Sequence, residues 1–197
     1  MKYKKFTKKK PHPYCFKDDF YYHLLSINSA ANCKDPYISN REFSFDDLNF
    51  NIDFKQIVAE KGHPDCFTMS DEKGVPLQVA GYKSRMFHSN EKTLLYFCNK
   101  NYFMGEYVFS ELGTDTPSLI VEILRKEFHS EIKYAKNITI KDKSGNCLFF
   151  TDTGFHLSIK FFNERNESVR KIAEFINNVN SQENPNSNLV NLASFKC

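Results

Sequence analysis

The segments of this chain that read as strands are apolar on both parities. In YFMGEYVFS, residues 102–110, one face carries Phe103, Tyr107 and Phe109, and the other carries Tyr102, Met104 and Val108. LLYF at 94–97 and LFF at 148–150 repeat the pattern. Successive side chains of a strand point to opposite sides of the sheet, so a strand with one wet face alternates apolar with polar residues. Both faces of a sheet built from these segments must therefore be covered. Helices supply one cover. The other comes from the remaining elements of the chain, from its N-terminal segment, or from a partner protein.

Turn and cap signals place the helices and strands. Asp18 or Asp19 can cap a short helix through Leu25. In NFNIDFKQIVAEKGHP, Ile52, Phe54, Ile57 and Val58 stand near helical spacing and Gly62 with Pro64 supplies a stop, which predicts a helix over 53–61. Residues 77–110 read as three strands, LQVAGYKSRMF, KTLLYFC and YFMGEYVFS, the last two joined as a hairpin at Asn99-Lys100-Asn101. Thr116-Pro117 opens a helix expected to bury Leu119, Ile120, Ile123 and Leu124. NITIKD, NCLFFTD and FHLSIKFFN follow as three strands separated by Lys143-Ser144-Gly145 and Thr153-Gly154. A final helix runs from about Glu167, with Val169, Ile172, Ala173, Ile176 and Val179 on one stripe.

The fold class this predicts is α+β, with antiparallel sheets of three strands and helices on one face, in the order helix, three strands, helix, three strands, helix; one continuous sheet of about six strands is the compact form. FKQIVAEKGHPD lines up loosely with IVEILRKEFHSE, which suggests duplicated halves at 50–112 and 113–180. The domain itself spans 16–180, between a flexible basic tail at 1–15 and a polar spacer with a C-terminal tail at 181–197.

Charge and composition narrow the function classes. The formal net charge is +3, yet residues 1–10, MKYKKFTKKK, carry six Lys and no acid, which leaves the rest of the chain at −3. Phosphate binding needs Lys and Arg clustered on a folded face, so the tail reads as a solvated arm and no nucleic-acid partner is expected. Twenty Phe and ten Tyr exclude intrinsic disorder for the body of the chain. A mean hydropathy of −0.54, with no apolar run near the length of a bilayer-spanning helix, argues against a membrane span. Lys17, Asp18 and Asp19 interrupt what would be the apolar part of a secretory signal, so a cytoplasmic location is expected. Six cysteines without a C-x-x-C pair read as reduced thiols, with Cys98 and Cys147 buried in strands. The oligomeric state has no signal.

Few residue patterns carry chemistry. Gly62-His63-Pro64-Asp65-Cys66 sets an imidazole, a carboxylate and a thiol close together, which would suit a thiol-dependent hydrolase using Cys66 with His63. The same residues also serve simply to end a helix and turn into a strand. His88, His129 and His156 fall in different elements without ligand spacing, so neither metal nor other cofactor is expected. His156 lies with Ser158 and Lys160 on a strand face expected to meet solvent, and His129 suits a helix C-terminus. Phosphate-cradling glycine loops and the nucleophile elbow are absent.

In the order of helix, FKQIVAEKGHPD turn and following strands over 50–162, the chain resembles the tandem helix-plus-sheet units of the β-lactamase inhibitory protein family and its lipoprotein relatives in outer-membrane assembly. The element order is also similar to that of secretion chaperones, which cradle an effector segment. Both resemblances imply binding of a protein partner rather than catalysis. The sequence thus predicts a non-enzymatic protein-binding module, such as an immunity protein or effector chaperone, using sheet-face residues Tyr96, Tyr102, Met104, Tyr107, Phe150 and Phe162. The alternatives are the Cys66/His63 hydrolase and a small-ligand carrier with an aromatic cavity.

Overall fold

Capping chemistry fixes the helix ends. The structure is a computed structural model that describes residue 15 and residues 20–72, 75–86, 89–110, 113, 115–128 and 131–183. Its elements are α1 (Phe20–Ala31), β1 (Tyr37–Ile38), α2 (Phe54–Lys61), β2 (Cys66–Glu72), β3 (Val75–Met86), β4 (Ser89–Cys98), β5 (Asn101–Ser110), α3 (Thr116–Phe128), β6 (Asn137–Lys141), β7 (Asn146–Asp152), β8 (Leu157–Asn163) and α4 (Glu167–Glu183). At the start of α2 the Asp53 carboxylate accepts from Lys55 N at 2.7 Å, and Asp53 N donates to Gln56 Oε1 at 3.1 Å. Gly62, at φ +83°, ends the helix by donating to Val58 O. Asn166 caps α4 through Ser168 N at 2.9 Å.

The strands form one mixed sheet of eight in the order β1-β6-β7-β8-β5-β4-β3-β2, antiparallel except for the short parallel pair β1 and β6. The fold is thus α+β with a mostly antiparallel sheet. Asn99 and Lys100, at φ +51° and +69°, make the tight β4–β5 hairpin.

Several expectations need correction. The first run of strands has four members, because β2 precedes the three expected ones, and β1 extends the far edge. The helices cover both faces of the sheet. One core joins Ile57 of α2 and Ile120, Val121 and Leu124 of α3 to Leu95, Phe97, Ile138 and Phe150. The other joins Leu24 and Ile27 of α1 and Ile172 and Ile176 of α4 to Leu94, Tyr96, Phe103 and Phe162. The doubly apolar strands require this arrangement, and the chain's own elements meet the requirement on each side. α3 is rotated slightly from its expected face: Leu119 is 45% exposed and Ile123 half-buried, while Val121 turns inward. α4 runs to Glu183, into the expected spacer. The tail at 1–14, the segment beyond 183, His88 and His129 lie outside the described residues.

A β-bulge shifts the register between Tyr96 and Phe97, so that Tyr96 pairs Met104 and Phe97 pairs Tyr102. Strict alternation put Phe103 with Tyr107 and Phe109. The extra residue moves Phe103 to the α1/α4 side with Met104, and Tyr102 to the α2/α3 side with Phe109.

Two glycines allow close approach. Phe45, in the segment that crosses the α2/α3 side, lies on Gly105 so closely that a Cβ there would stand 2.2 Å from its ring. At Gly81 on the opposite face, a Cβ would stand 2.3 Å from Cys66 Sγ. Asp142 ties the Phe45 segment to the sheet: its carboxylate accepts from Ser144 N and Asn146 N at 2.9 Å, from Asn146 Nδ2 at 2.8 Å and from Phe43 N at 3.2 Å.

Candidate functional site

The partner-binding residues expected from the sequence are core residues. Tyr96, Met104 and Phe162 are fully buried beneath α1 and α4, and Tyr102 and Phe150 are fully buried beneath α2 and α3. Tyr107 is half-buried against Phe45 and donates a hydrogen bond to Asp46, whose other oxygen takes Lys61 Nζ at 2.8 Å. Burial and that acceptor push the Tyr107 phenol up. None of the five fully buried side chains presents a surface to a partner.

Lys160, expected to face water, is 7% exposed and stands directly across from Glu106 in the β5–β8 pair. Its Nζ is 3.3 Å from Glu106 Oε1. Glu106 is itself 1% exposed, and its Oε2 accepts from the Tyr96 hydroxyl and lies 3.3 Å from His23 Nδ1 of α1. Burial alone would raise the carboxyl. The Lys160 ammonium, then His23 and Tyr96, outweigh it and hold the group at about 2. These groups form a polar network within the apolar α1/α4 core.

Cys66 also faces inward. The groups acting on its thiol are Cys15, Lys92, Asp65 and the Gly81 backbone. His63 is exposed in the turn after α2, so the structure gives the expected dyad no shared pocket. Cys15, Cys66, Cys98 and Cys147 are free thiols, whereas Cys33 is disulfide-bonded, which departs from the all-thiol expectation. Among the described residues, no group of three or more His, Cys, Asp or Glu forms a metal cluster, and no helix is long and apolar enough to cross a membrane. An open groove lies between the 42–50 segment and Asn146, lined in part by Phe43, Leu48 and Phe50.

Among the described residues, the most exposed large apolar side chain stands on the β7–β8 turn. Asp152, at the end of β7, is buried. Its Oδ1 accepts from Gly154 N at 2.7 Å and its Oδ2 from the Tyr134 hydroxyl at 2.6 Å. Its own N–H donates to Lys136 O at 2.7 Å. Across the turn, Thr153 N and Thr153 Oγ1 both reach His156 O at 3.0 Å, and His156 N donates to Thr153 Oγ1 at 3.1 Å. Gly154 supplies the φ of +83° that the turn requires. These bonds hold Phe155 at 83% exposure with Tyr134, 51% exposed, tied to the same carboxylate. The Tyr134 phenol is shifted up, first by its bond to Asp152 and then by burial and the nearby charge. Lys133, Lys136 and His156 are exposed around the pair.

Phe155, expected from the sequence to begin a strand, instead stands in the turn that precedes β8. Asp152 two residues before Gly154 was the available signal, since that spacing lets an Asp carboxylate close a turn on itself. Compared with protein-family models, curated proteins and solved structures, the chain matches none.

Proposed function

We propose that this chain is a non-enzymatic protein-binding module whose contact surface is the β7–β8 turn, with Phe155 as its anchor and Tyr134 beside it. The observation that carries the reading is Phe155, 83% exposed on a turn fixed by its own hydrogen bonds. A large apolar ring held in water by a stiff turn loses little conformational freedom on binding, and its burial contributes about 2–3 kcal/mol. The groups with chemical potential support binding over catalysis, because Glu106 and Lys160 satisfy each other in the core and Cys66 faces Cys15. The partner is a protein with an apolar pocket that receives the ring, in the manner of an immunity protein or an effector chaperone masking its target.

Affinity capture with mass spectrometry from the native host tests this, using the wild-type chain and Phe155→Ala in parallel. One stoichiometric partner is expected with the wild type, at a yield at least about tenfold lower with the variant, whose melting temperature should stay within about 1 °C because an exposed side chain is removed. Equal capture by both proteins would overturn the assignment.

A further inference from the structure

We propose that Cys15 and Cys66 form a redox pair that a small-molecule disulfide converts to an intramolecular disulfide, locking residue 15 onto β2. The two sulfurs converge on one spot over the sheet. A Cβ built on Gly81 would stand 2.3 Å from Cys66 Sγ and 3.2 Å from Cys15 Sγ, so the glycine leaves the space both thiols occupy. Cys15 is held there by three further contacts: its N–H donates to Thr68 Oγ1 at 2.8 Å, its sulfur lies 3.5 Å from Val79 O, and its carbonyl accepts from Lys92 Nζ at 2.5 Å. These contacts link it to β2, β3 and β4, and Cys66 begins β2.

The environment separates two roles. Cys15, beside the Cys66 sulfur, and Lys92 hold the Cys66 thiol down against its burial, while the neighbouring Cys66 and desolvation push Cys15 up. Cys66 is also the more exposed of the two, at 6% against 1%. It is the attacking thiol, and Cys15 resolves. In the first step the Cys66 thiolate attacks one sulfur of the reagent disulfide. The reagent S–S bond breaks, a mixed disulfide forms on Cys66, and the departing thiolate takes up a proton. Cys15 then gives up its proton and attacks Cys66 Sγ, releasing the second small thiol. Two protein thiols lose two electrons in all, and one reagent disulfide becomes two thiols. Cys98 and Cys147, both pushed up by burial, serve as unreactive internal references.

The test incubates the full chain with oxidised glutathione near neutral pH and follows intact mass and peptide maps. The expected product has lost two hydrogen atoms, carries no lasting glutathione adduct and yields a linked peptide joining Cys15 to Cys66. Its melting temperature should rise by about 5 °C or more, because the bond closes a long loop in the unfolded chain. In Cys15→Ser the reaction should stop at a stable glutathione adduct on Cys66, forming at least about tenfold faster than any adduct in Cys66→Ser. A lasting adduct on the wild-type Cys66, a new link that joins cysteines other than Cys15 and Cys66 and was absent before oxidation, or an unchanged thiol count would overturn the proposal.

Discussion

Replacing Lys160 with methionine is expected to destabilise the fold by about 3 kcal/mol at neutral pH, the low end for breaking a buried ion pair, since Glu106 keeps His23 and Tyr96. The magnitude follows from the carboxylate. Its environment lowers the Glu106 group from the usual 4.5 to about 2. That displacement favours the charged form by about 3 kcal/mol, and Lys160 is the largest favourable contributor to it. Methionine fills most of the lysine's volume, so the loss reports charge rather than a cavity. Urea denaturation followed by far-ultraviolet circular dichroism at pH 7 measures the effect, which corresponds to a fall in melting temperature of about 6–12 °C. The sign with pH is fixed as well. A carboxylate lowered on folding contributes its stability above its unfolded value near 4.5, and that contribution is lost as pH falls from there toward 2. The gap between wild type and variant should therefore narrow on acidification. Adding Glu106→Gln to the variant should recover stability to within about 1 kcal/mol of wild type, because no unpaired charge stays buried. A single variant within about 0.5 kcal/mol of wild type, or a double variant less stable than the single one, would show that the Lys160–Glu106 pair does not contribute this stability.

Other outcomes follow from packing and turn geometry. Gly105→Ala is expected to lower stability by about 1–3 kcal/mol in chemical denaturation, because its methyl group would meet the Phe45 ring. Ile120→Ala should cost about 2–4 kcal/mol and Leu119→Ala less than about 0.5 kcal/mol, a contrast that checks which face α3 buries. Asp142→Ala removes the acceptor for four donors, two of them backbone N–H groups inside the β6–β7 turn, and should cost at least about 2 kcal/mol, with faster amide exchange at Phe43, Ser144 and Asn146.

Local signals in the sequence carried much of the architecture. Asp53 with Gly62, Thr116-Pro117 and the stripe from Val169 to Ile176 marked three helices, because caps and helical spacing are written in adjacent residues. Asn99-Lys100 marked the central hairpin for the same reason. β2 was hidden because it sits at one end of the sheet and finishes in the polar run Ser70-Asp71-Glu72. The bulge at Tyr96/Phe97 is a property of a strand pair, so alternation within one strand misassigned Tyr102 and Phe103. Burial of Lys160 likewise depends on Glu106, a partner on another strand with no sequence mark of the pairing. The burial of five of the six binding candidates has a simpler reason. Large aromatics on both strand faces signalled that the faces were covered, and the chain covers them itself. The site proposed instead was obscured by one residue of strand phase at Phe155.

The most direct test of the central claim is hydrogen–deuterium exchange on the chain with and without its captured partner. Protection on binding is expected to centre on residues 152–156 and 131–136, around Phe155 and Tyr134, and to leave the buried strand centres of β4 and β5 as they are in the free chain. Protection confined to α1 and α4, or to α2 and α3, with the β7–β8 turn exchanging as in the free protein, would contradict it.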